Sequence, residues 1–225
     1  MASEPGAGGG HWRWGHRGRS ESVKHVATLA VLLATTPLHA QTTHTPLAPT
    51  IWLGLAGGYY TVETDQNYDN GPGFDIQGGY MSLTGLGLAA NVHVSFHAPD
   101  ETFGPTDSKL VSTNLSVGPK YVLTPGLPAS VFVSARALFA YRVMSFTGRG
   151  KYQERFGGGV GVQLGVTAAT DHGFWIETAV AYDTIFYAQE RFAQKSLGPR
   201  SVTGSITSRQ WSLTLAILVP VGRKG

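Results

Sequence analysis

The stretch AANVHVSFHA, residues 89–98, alternates between polar and apolar side chains along its length. One set is polar and consists of Asn91, His93, Ser95 and His97. The other set is apolar and consists of Val92, Val94 and Phe96. Successive side chains of a β-strand point to opposite faces, so this alternation predicts a strand with one polar and one apolar face. Which of the two faces is enclosed decides the fold.

The same period of two continues from Ile51 onward and predicts an all-β fold. The predicted strands are residues 51–63, 73–83, 86–98, 110–123, 130–144, 156–168, 174–184 and 206–219. Each is long enough to cross a membrane, for which a tilted strand needs roughly 9–11 residues. Pro119 lacks the N–H group that a strand interior needs, so we expect a bulge or a strand-end distortion in the fourth strand.

The connections between the predicted strands alternate in length. The short ones are TG after the second strand, TPGLPA after the fourth and ATDHG after the sixth. The others are longer and more polar, and the longest runs from Ile185 to Ser205. In an up-and-down meander this alternation gathers the short turns at one end and the long loops at the other. Barrels of the bacterial outer membrane show this asymmetry, with short periplasmic turns and long extracellular loops.

The polar face of the predicted strands combines small residues with a few long charged ones. The interior of an eight-stranded barrel is just wide enough for side chains to fill, so small residues leave room for large ones. The candidate lumen network consists of Asp75, His93, His97, Lys120, Arg136, Arg142, Glu177 and Asp183. Lys120 and Glu177 fall toward the short turns. Because buried charges must be paired, we expect ion pairs that plug the lumen.

Aromatic residues on the apolar face fall into two belts. The belt near the long loops consists of Tyr59, Phe74, Phe96, Tyr141, Phe156, Tyr182 and Trp211. The belt near the short turns consists of Tyr80, Tyr121 and Phe174. Aliphatic residues such as Leu53, Val133 and Leu213 lie between them. Aromatic rings prefer the two membrane interfaces, so the apolar face is expected to contact lipid. The alternative is a soluble barrel that encloses its apolar face.

These observations predict an eight-stranded antiparallel up-and-down transmembrane β-barrel over residues 51–221. Residues 1–40 predict an N-terminal extension and a cleaved signal peptide, in which Val26 to Thr35 form the apolar stretch and Leu38-His39-Ala40 the cleavage site. Residues 41–50 are expected to be a linker and residues 222–225 a tail. An arm that binds nucleic acid is the alternative for the basic N-terminus. We expect export to the outer membrane.

Composition disfavours several classes of protein. The chain has no cysteine, so it offers no disulfide framework, thiolate zinc site or cysteine nucleophile. The residues after position 40 include 13 basic and 12 acidic side chains, and this near balance creates no field that would attract nucleic acid. The 30 glycines disfavour an all-helical fold, because glycine costs about 1 kcal/mol in a helix interior. No apolar run predicts a membrane-spanning helix.

Two segments and the loop rhythm resemble a known group of proteins. The first strand WLGLAGGYY, residues 52–60, and the segment SVGPKYVL, residues 116–123, are similar to strands of small eight-stranded outer membrane proteins, the OmpA membrane-domain and OmpX-like group. The resemblance covers residues 51–221 and implies architecture rather than activity. It also implies assembly by the barrel-assembly machinery. That machinery commonly reads a terminal aromatic residue, whereas this chain ends LVPVGRKG, so the signal is expected further inward, in WSLTLAILV, residues 211–219.

The preferred hypothesis is a structural or surface-interaction role through extracellular loops. The longest loop carries Arg191, Lys195 and Arg200, whose charges suit phosphate groups of lipopolysaccharide. The expected partners are therefore outer membrane lipid, lipopolysaccharide and the barrel-assembly machinery. Nucleic acid is not an expected partner, and the barrel is expected to be a monomer.

Three other classes remain open: a narrow channel for small or hydrophobic solutes, an enzyme that modifies lipid A, and a soluble lipocalin-like carrier. A deacylase needs its catalytic group on the lipid-facing surface, whereas His93 and His97 are predicted to face inward. A charged lumen also does not suit an acyl chain. The two histidines do not complete the three or four ligands of a zinc site, so we expect no metal, no cofactor and no catalytic residue.

Overall fold

The computed structural model describes residues 49–62, 68–99, 108–125, 127–146, 151–194, 198–202 and 206–221. The predicted signal peptide lies outside these residues. The described strands are β1 (Thr50–Tyr60), β2 (Gly71–Met81), β3 (Leu86–His97), β4 (Ser108–Val122), β5 (Ala129–Phe146), β6 (Lys151–Ala169), β7 (Trp175–Gln194), β8 (Gly198–Val202) and β9 (Ile206–Val221). None of the described residues belongs to a helix long and apolar enough to span a membrane.

Eight of these strands close into a barrel. Consecutive strands from β1 to β7 pair antiparallel, β7 pairs with β9, and β9 pairs with β1 from Ile51↔Val221 to Tyr60↔Ser212. The strand β8 stands apart, because its pairing with described residues is limited to residues 190–194 at the far end of β7. The predicted eight-stranded up-and-down barrel is confirmed. Closure gives each of the eight barrel strands two neighbours, so its backbone N–H and carbonyl groups are bonded within the sheet.

Three short turns join β2 to β3, β4 to β5 and β6 to β7 at one end of the barrel, here called the short-turn end. Two of these turns contain a glycine in the left-handed region, Gly85 with a φ of 81° and Gly173 with a φ of 82°. Backbone hydrogen bonds close both turns, from Ser82 N to Leu86 O at 2.9 Å and from Thr170 N to Phe174 O at 2.9 Å. The opposite end is here called the long-loop end.

Five strands extend beyond their predicted limits at the long-loop end. Three of them, β2, β4 and β5, do so by two residues each. The structure starts β6 at Lys151 and extends β7 to Gln194, and these two strands remain paired as far as Lys151↔Gln194. The segment 185–205, predicted as one long loop, therefore contains the outer part of β7 and all of β8. Antiparallel neighbours satisfy each other's backbone groups in water as well as in lipid. The alternation of apolar residues stops before the strands end, so the sequence pattern underestimates the length of the strands.

Pro119 interrupts the ladder between β4 and β5 without shifting it. Pairing stops after Val117↔Ala137 and resumes at Lys120↔Ser134 in the same register, so the predicted bulge is absent at this point of the described ladder. The Ser134 hydroxyl donates a hydrogen bond to the Pro119 carbonyl oxygen at 2.9 Å. A described register shift occurs instead between β6 and β7, where Phe156 pairs with Gln189 and Gly157 with Tyr187.

The two faces of the sheet differ sharply in exposure. On the outer face Leu53 is 57% exposed and Leu55 is 65% exposed, and both belong to a continuous apolar band. On the inner face Glu177 is 2% exposed and Arg142 is 2% exposed. The polar face is therefore the enclosed one. An exposed apolar band around a closed barrel is the surface that lipid chains cover.

The lipid-facing band gives a depth-dependent prediction. Leu55→Arg places a charge at the middle of β1 on the outer face and should destabilise the barrel by about 2–4 kcal/mol. Thr207→Arg, on the exposed outer face near the long-loop end of β9, should cost about 0–1 kcal/mol. Guanidinium unfolding in phospholipid vesicles measures both. Equal losses for the two variants would contradict a lipid-facing band.

Candidate functional site in the lumen

The lowest layer of the lumen, at the short-turn end, is apolar. Trp52, Trp175 and Leu218 form a buried cluster with Ala56 and Ala216. Sequence reasoning missed the two tryptophans because it took the inward set to be polar and small. The signal was available, since Trp52 precedes the outward Leu53 by one residue and Trp175 shares the face of Glu177.

Glycines make room for these rings. A Cβ atom on Gly79 would lie 2.6 Å from the Trp52 ring, and a Cβ atom on Gly165 would lie 2.6 Å from the Phe132 ring. Because real Cβ contacts are longer, any larger residue would displace the ring. The glycines of the inward face therefore fit the sparse large residues beside them, as the narrow interior requires.

A buried ion pair lies directly above this layer. Lys120 Nζ donates a hydrogen bond to Glu177 Oε2, and both side chains are at least nine-tenths buried. The Thr167 hydroxyl donates a second hydrogen bond to Glu177 Oε2 at 2.9 Å. The ammonium group also lies 3.9 Å from the centre of the Phe132 ring and 5.0 Å from that of Trp52. These ring faces compensate part of the hydration that the lysine loses.

The middle layer contains two further charge contacts. Arg136 donates two parallel hydrogen bonds to Asp183, from Nε at 2.9 Å and from Nη2 at 2.7 Å. On the opposite wall His93 Nδ1 donates to Asp75 Oδ1 at 2.7 Å, and the Tyr60 hydroxyl donates to Asp75 Oδ2 at 3.1 Å. The bidentate geometry is the strongest form of an arginine–carboxylate pair. Both aspartates thus have specific donors.

The upper layer, toward the long-loop end, is rich in arginine. Arg142 is 2% exposed, donates to Ser208 Oγ at 3.3 Å and lies 4.8 Å from the Tyr187 ring centre. Arg155 faces it across the β5–β6 ladder and is also buried. Sequence reasoning missed Arg155 because the sixth strand was predicted to begin at Phe156. Its inward parity with Gly157 and Gly159 was the signal that could have revealed it.

The two histidines of the opening stretch make separate contacts. His93 belongs to the Asp75 pair, whereas His97 lies higher, donating from Nδ1 to the Asp69 carbonyl oxygen at 3.1 Å and accepting from the Ser95 hydroxyl at 2.9 Å. Among the residues the structure describes, no group of three or more metal-ligating side chains converges. Both rings act as hydrogen-bonding members of the lumen wall.

Apolar residues cover the lumen above the arginines. Val62, Tyr68, Leu110 and Met144 form a buried cluster. Tyr68 reaches this cluster from the connection between β1 and β2, and its hydroxyl shares a hydrogen bond of 3.0 Å with Ser108 Oγ. Burial raises the pKa of the Tyr68 phenol. The described lumen is therefore bounded by apolar clusters at both ends, with charged layers between them.

The aromatic residues predicted as girdles lie on the outer surface. Tyr59, Phe74, Phe96, Tyr80, Tyr121 and Trp211 are each more than two-fifths exposed. Tyr141, Phe156, Tyr182 and Phe174 are partly exposed. Rings on neighbouring strands touch, with centroids 4.7 Å apart for Tyr141 and Phe156 and 4.5 Å apart for Tyr182 and Trp211. Phe174 differs from its prediction in lying in the turn before β7 rather than within the strand.

Comparisons with known proteins agree with this architecture. A family model described as an outer membrane protein beta-barrel domain matches residues 26–215. Neisserial surface protein A (NspA) superposes with a TM-score of 0.56 at 14% identity, covering 75% of this chain and 96% of that one. OprG of Pseudomonas aeruginosa gives 0.54 at 11% identity, with 78% and 97% covered. The outer membrane protein AlkL gives 0.52 at 10% identity, with 84% and 99% covered. No curated protein matches the sequence.

The Lys120–Glu177 pair gives a prediction about stability. Glu177→Gln leaves a buried ammonium group without its carboxylate and should lower the free energy of unfolding by roughly 3–5 kcal/mol. Lys120→Met combined with Glu177→Gln should recover most of this loss, because no buried charge remains. Denaturant unfolding of the three proteins in the same vesicles tests the pair. A double variant no more stable than Glu177→Gln alone would show that the two side chains are not coupled.

Proposed function

Because the chain belongs to the family of outer membrane protein β-barrel domains, we propose that it acts through its surface, as a structural or surface-interaction protein with a plugged lumen. Family membership implies an outer-membrane location. Export through the predicted signal peptide, insertion by the barrel-assembly machinery and a monomeric state are parts of the same proposal.

The main support for a plugged lumen is the filling of the barrel interior by the apolar clusters at its two ends and by the charge pairs between them. The lumen lined by Asp75, His93, Arg136 and Asp183 retains a cavity of only about 10 Å³. One water molecule needs about that much space, so the small volume supports a closed lumen. This filling favours the surface role over the narrow channel. The inward position of both strand histidines likewise gives no support to a lipid A deacylase.

The long-loop end is the proposed interaction surface. There β6 and β7 stay paired as far as Lys151↔Gln194, and β8 adds a further strand beside the end of β7. Arg191 and Arg200 belong to this sheet, on β7 and β8, one ladder position apart. Their side chains and Lys195 lie outside the described residues. Phosphate groups of lipopolysaccharide are the proposed ligand, because guanidinium groups bind phosphate oxygens in parallel pairs of hydrogen bonds.

The plug is tested by conductance. The wild-type barrel in planar bilayers should show no open-pore conductance. Lys120→Ala combined with Glu177→Ala removes the lower ion pair and should raise single-channel conductance, further so when Trp52→Ala removes the apolar layer below it. Lys109→Ala combined with Arg209→Ala, which removes two exposed charges, is the control and should stay closed. Solute passage through wild-type liposomes, or unchanged conductance in the triple variant, would contradict the plug.

The surface role is tested by lipopolysaccharide binding. Replacing Arg191, Lys195 and Arg200 together by alanine should weaken binding of purified barrels to lipopolysaccharide several-fold, and added salt should reduce the difference. Arg191→Lys combined with Arg200→Lys keeps the charge but loses the paired hydrogen bonds, so binding should fall to an intermediate level. Wild-type binding by the alanine variant would exclude this part of the sheet as the phosphate site.

A further inference from the structure

Three buried polar atoms line one side of the middle layer without a hydrogen bond to any described residue: His93 Nε2, Asn114 Oδ1 and Gln210 Nε2. Their side chains all face the same cavity of about 10 Å³. All three residues are at most 5% exposed. Leaving such a group unbonded costs roughly 1–3 kcal/mol, so three in one place indicate a shared partner.

The three residues are held next to one another by the barrel. His93 on β3 and Asn114 on β4 are partners in the β3–β4 ladder. Asn114 Nδ2 donates to Gln210 Oε1 at 3.2 Å, which joins β4 to β9 across the lumen. This amide–amide bond leaves the Asn114 oxygen and the Gln210 nitrogen without a described partner. If both side-chain amides were rotated by 180°, Asn114 and Gln210 would exchange their roles in this bond. One N–H donor and one carbonyl acceptor would still remain unbonded.

Asp75 sets the role of His93. The Asp75 carboxylate accepts from His93 Nδ1 at 2.7 Å, so in the neutral ring the proton lies on Nδ1 and Nε2 is an acceptor. The unbonded groups that line the cavity are therefore two acceptors, His93 Nε2 and Asn114 Oδ1, and one donor, Gln210 Nε2. A ligand that both donates and accepts hydrogen bonds matches this mixed set.

We propose that the cavity binds one ordered water molecule. Water donates two hydrogen bonds, to His93 Nε2 and Asn114 Oδ1, and accepts one from Gln210 Nε2. Its size matches the cavity, and three polar partners are typical of a buried water. The bound water links β3, β4 and β9 across the lumen, and it completes the filling of the middle layer between the Asp75 and Asp183 contacts. The site depends on the lumen geometry and not on the role of the loops.

Hydration NMR of the full barrel in lipid nanodiscs tests the site. With histidine and glutamine labelled by ¹⁵N, the Gln210 side-chain amide should give a cross-relaxation peak at the water frequency with the sign of a long-lived water. The His93 ring should show a protonated Nδ1 and an unprotonated Nε2. Asn114→Leu, of similar volume, removes one acceptor and the amide bond, so the water peak at Gln210 should disappear.

Ser112→Ala is the matched control. Ser112 lies two residues from Asn114 on the same inward face and is buried, but it does not line the cavity. The Gln210–water peak should persist in this variant. A folded wild-type barrel without the peak would overturn the proposal, as would a peak that persists in Asn114→Leu.

Discussion

The hydrocarbon layer offers no hydrogen-bond partner to a backbone, and the rest of this structure depends on that constraint. A sheet can satisfy it only by closing, which here requires β1 to pair with β9 over the full length from Ile51↔Val221 to Tyr60↔Ser212. With the sheet closed at eight strands, the interior is narrow and one face of every strand is enclosed. The opposite faces must then be apolar, and the exposed band that includes Leu53, Leu55 and Val162 meets that need.

The narrow interior in turn governs its chemistry. A buried charge is costly without a partner. Lys120 has Glu177, Arg136 has Asp183, and Asp75 has His93 together with Tyr60. Arg142 departs from the predicted ion pairing, since its described contacts are the Ser208 hydroxyl and the Tyr187 ring. Two of these contacts, Lys120–Glu177 and Arg136–Asp183, join strands that are not neighbours in the sheet. The side chains that fill the lumen are therefore the same ones whose hydrogen bonds connect the strands across it.

The long-loop end escapes both constraints. A strand that leaves the hydrocarbon layer can bond to solvent through its backbone, and neither of its faces must then be apolar. Continued pairing of β6 with β7 and the addition of β8 are then free to vary without affecting the closed sheet. Small barrels can therefore share a wall at very low sequence identity, as the superpositions at 10–14% identity illustrate. Function on such a scaffold is expected where the sequence is free to change.

The sequence by itself determined the strands within the barrel wall and the side on which each residue lies, because residues two apart share a face whatever the rest of the chain does. That parity was enough to place Asp75, Lys120 and Glu177 inside, and Leu53 and Tyr59 outside. Only the tertiary structure decided which inward groups meet, such as Arg136 with Asp183, because contacts across the lumen depend on the stagger of strands far apart in sequence. It also decided where β6 begins and hence that Arg155 faces Arg142, since strands in water carry no apolar alternation to mark their ends.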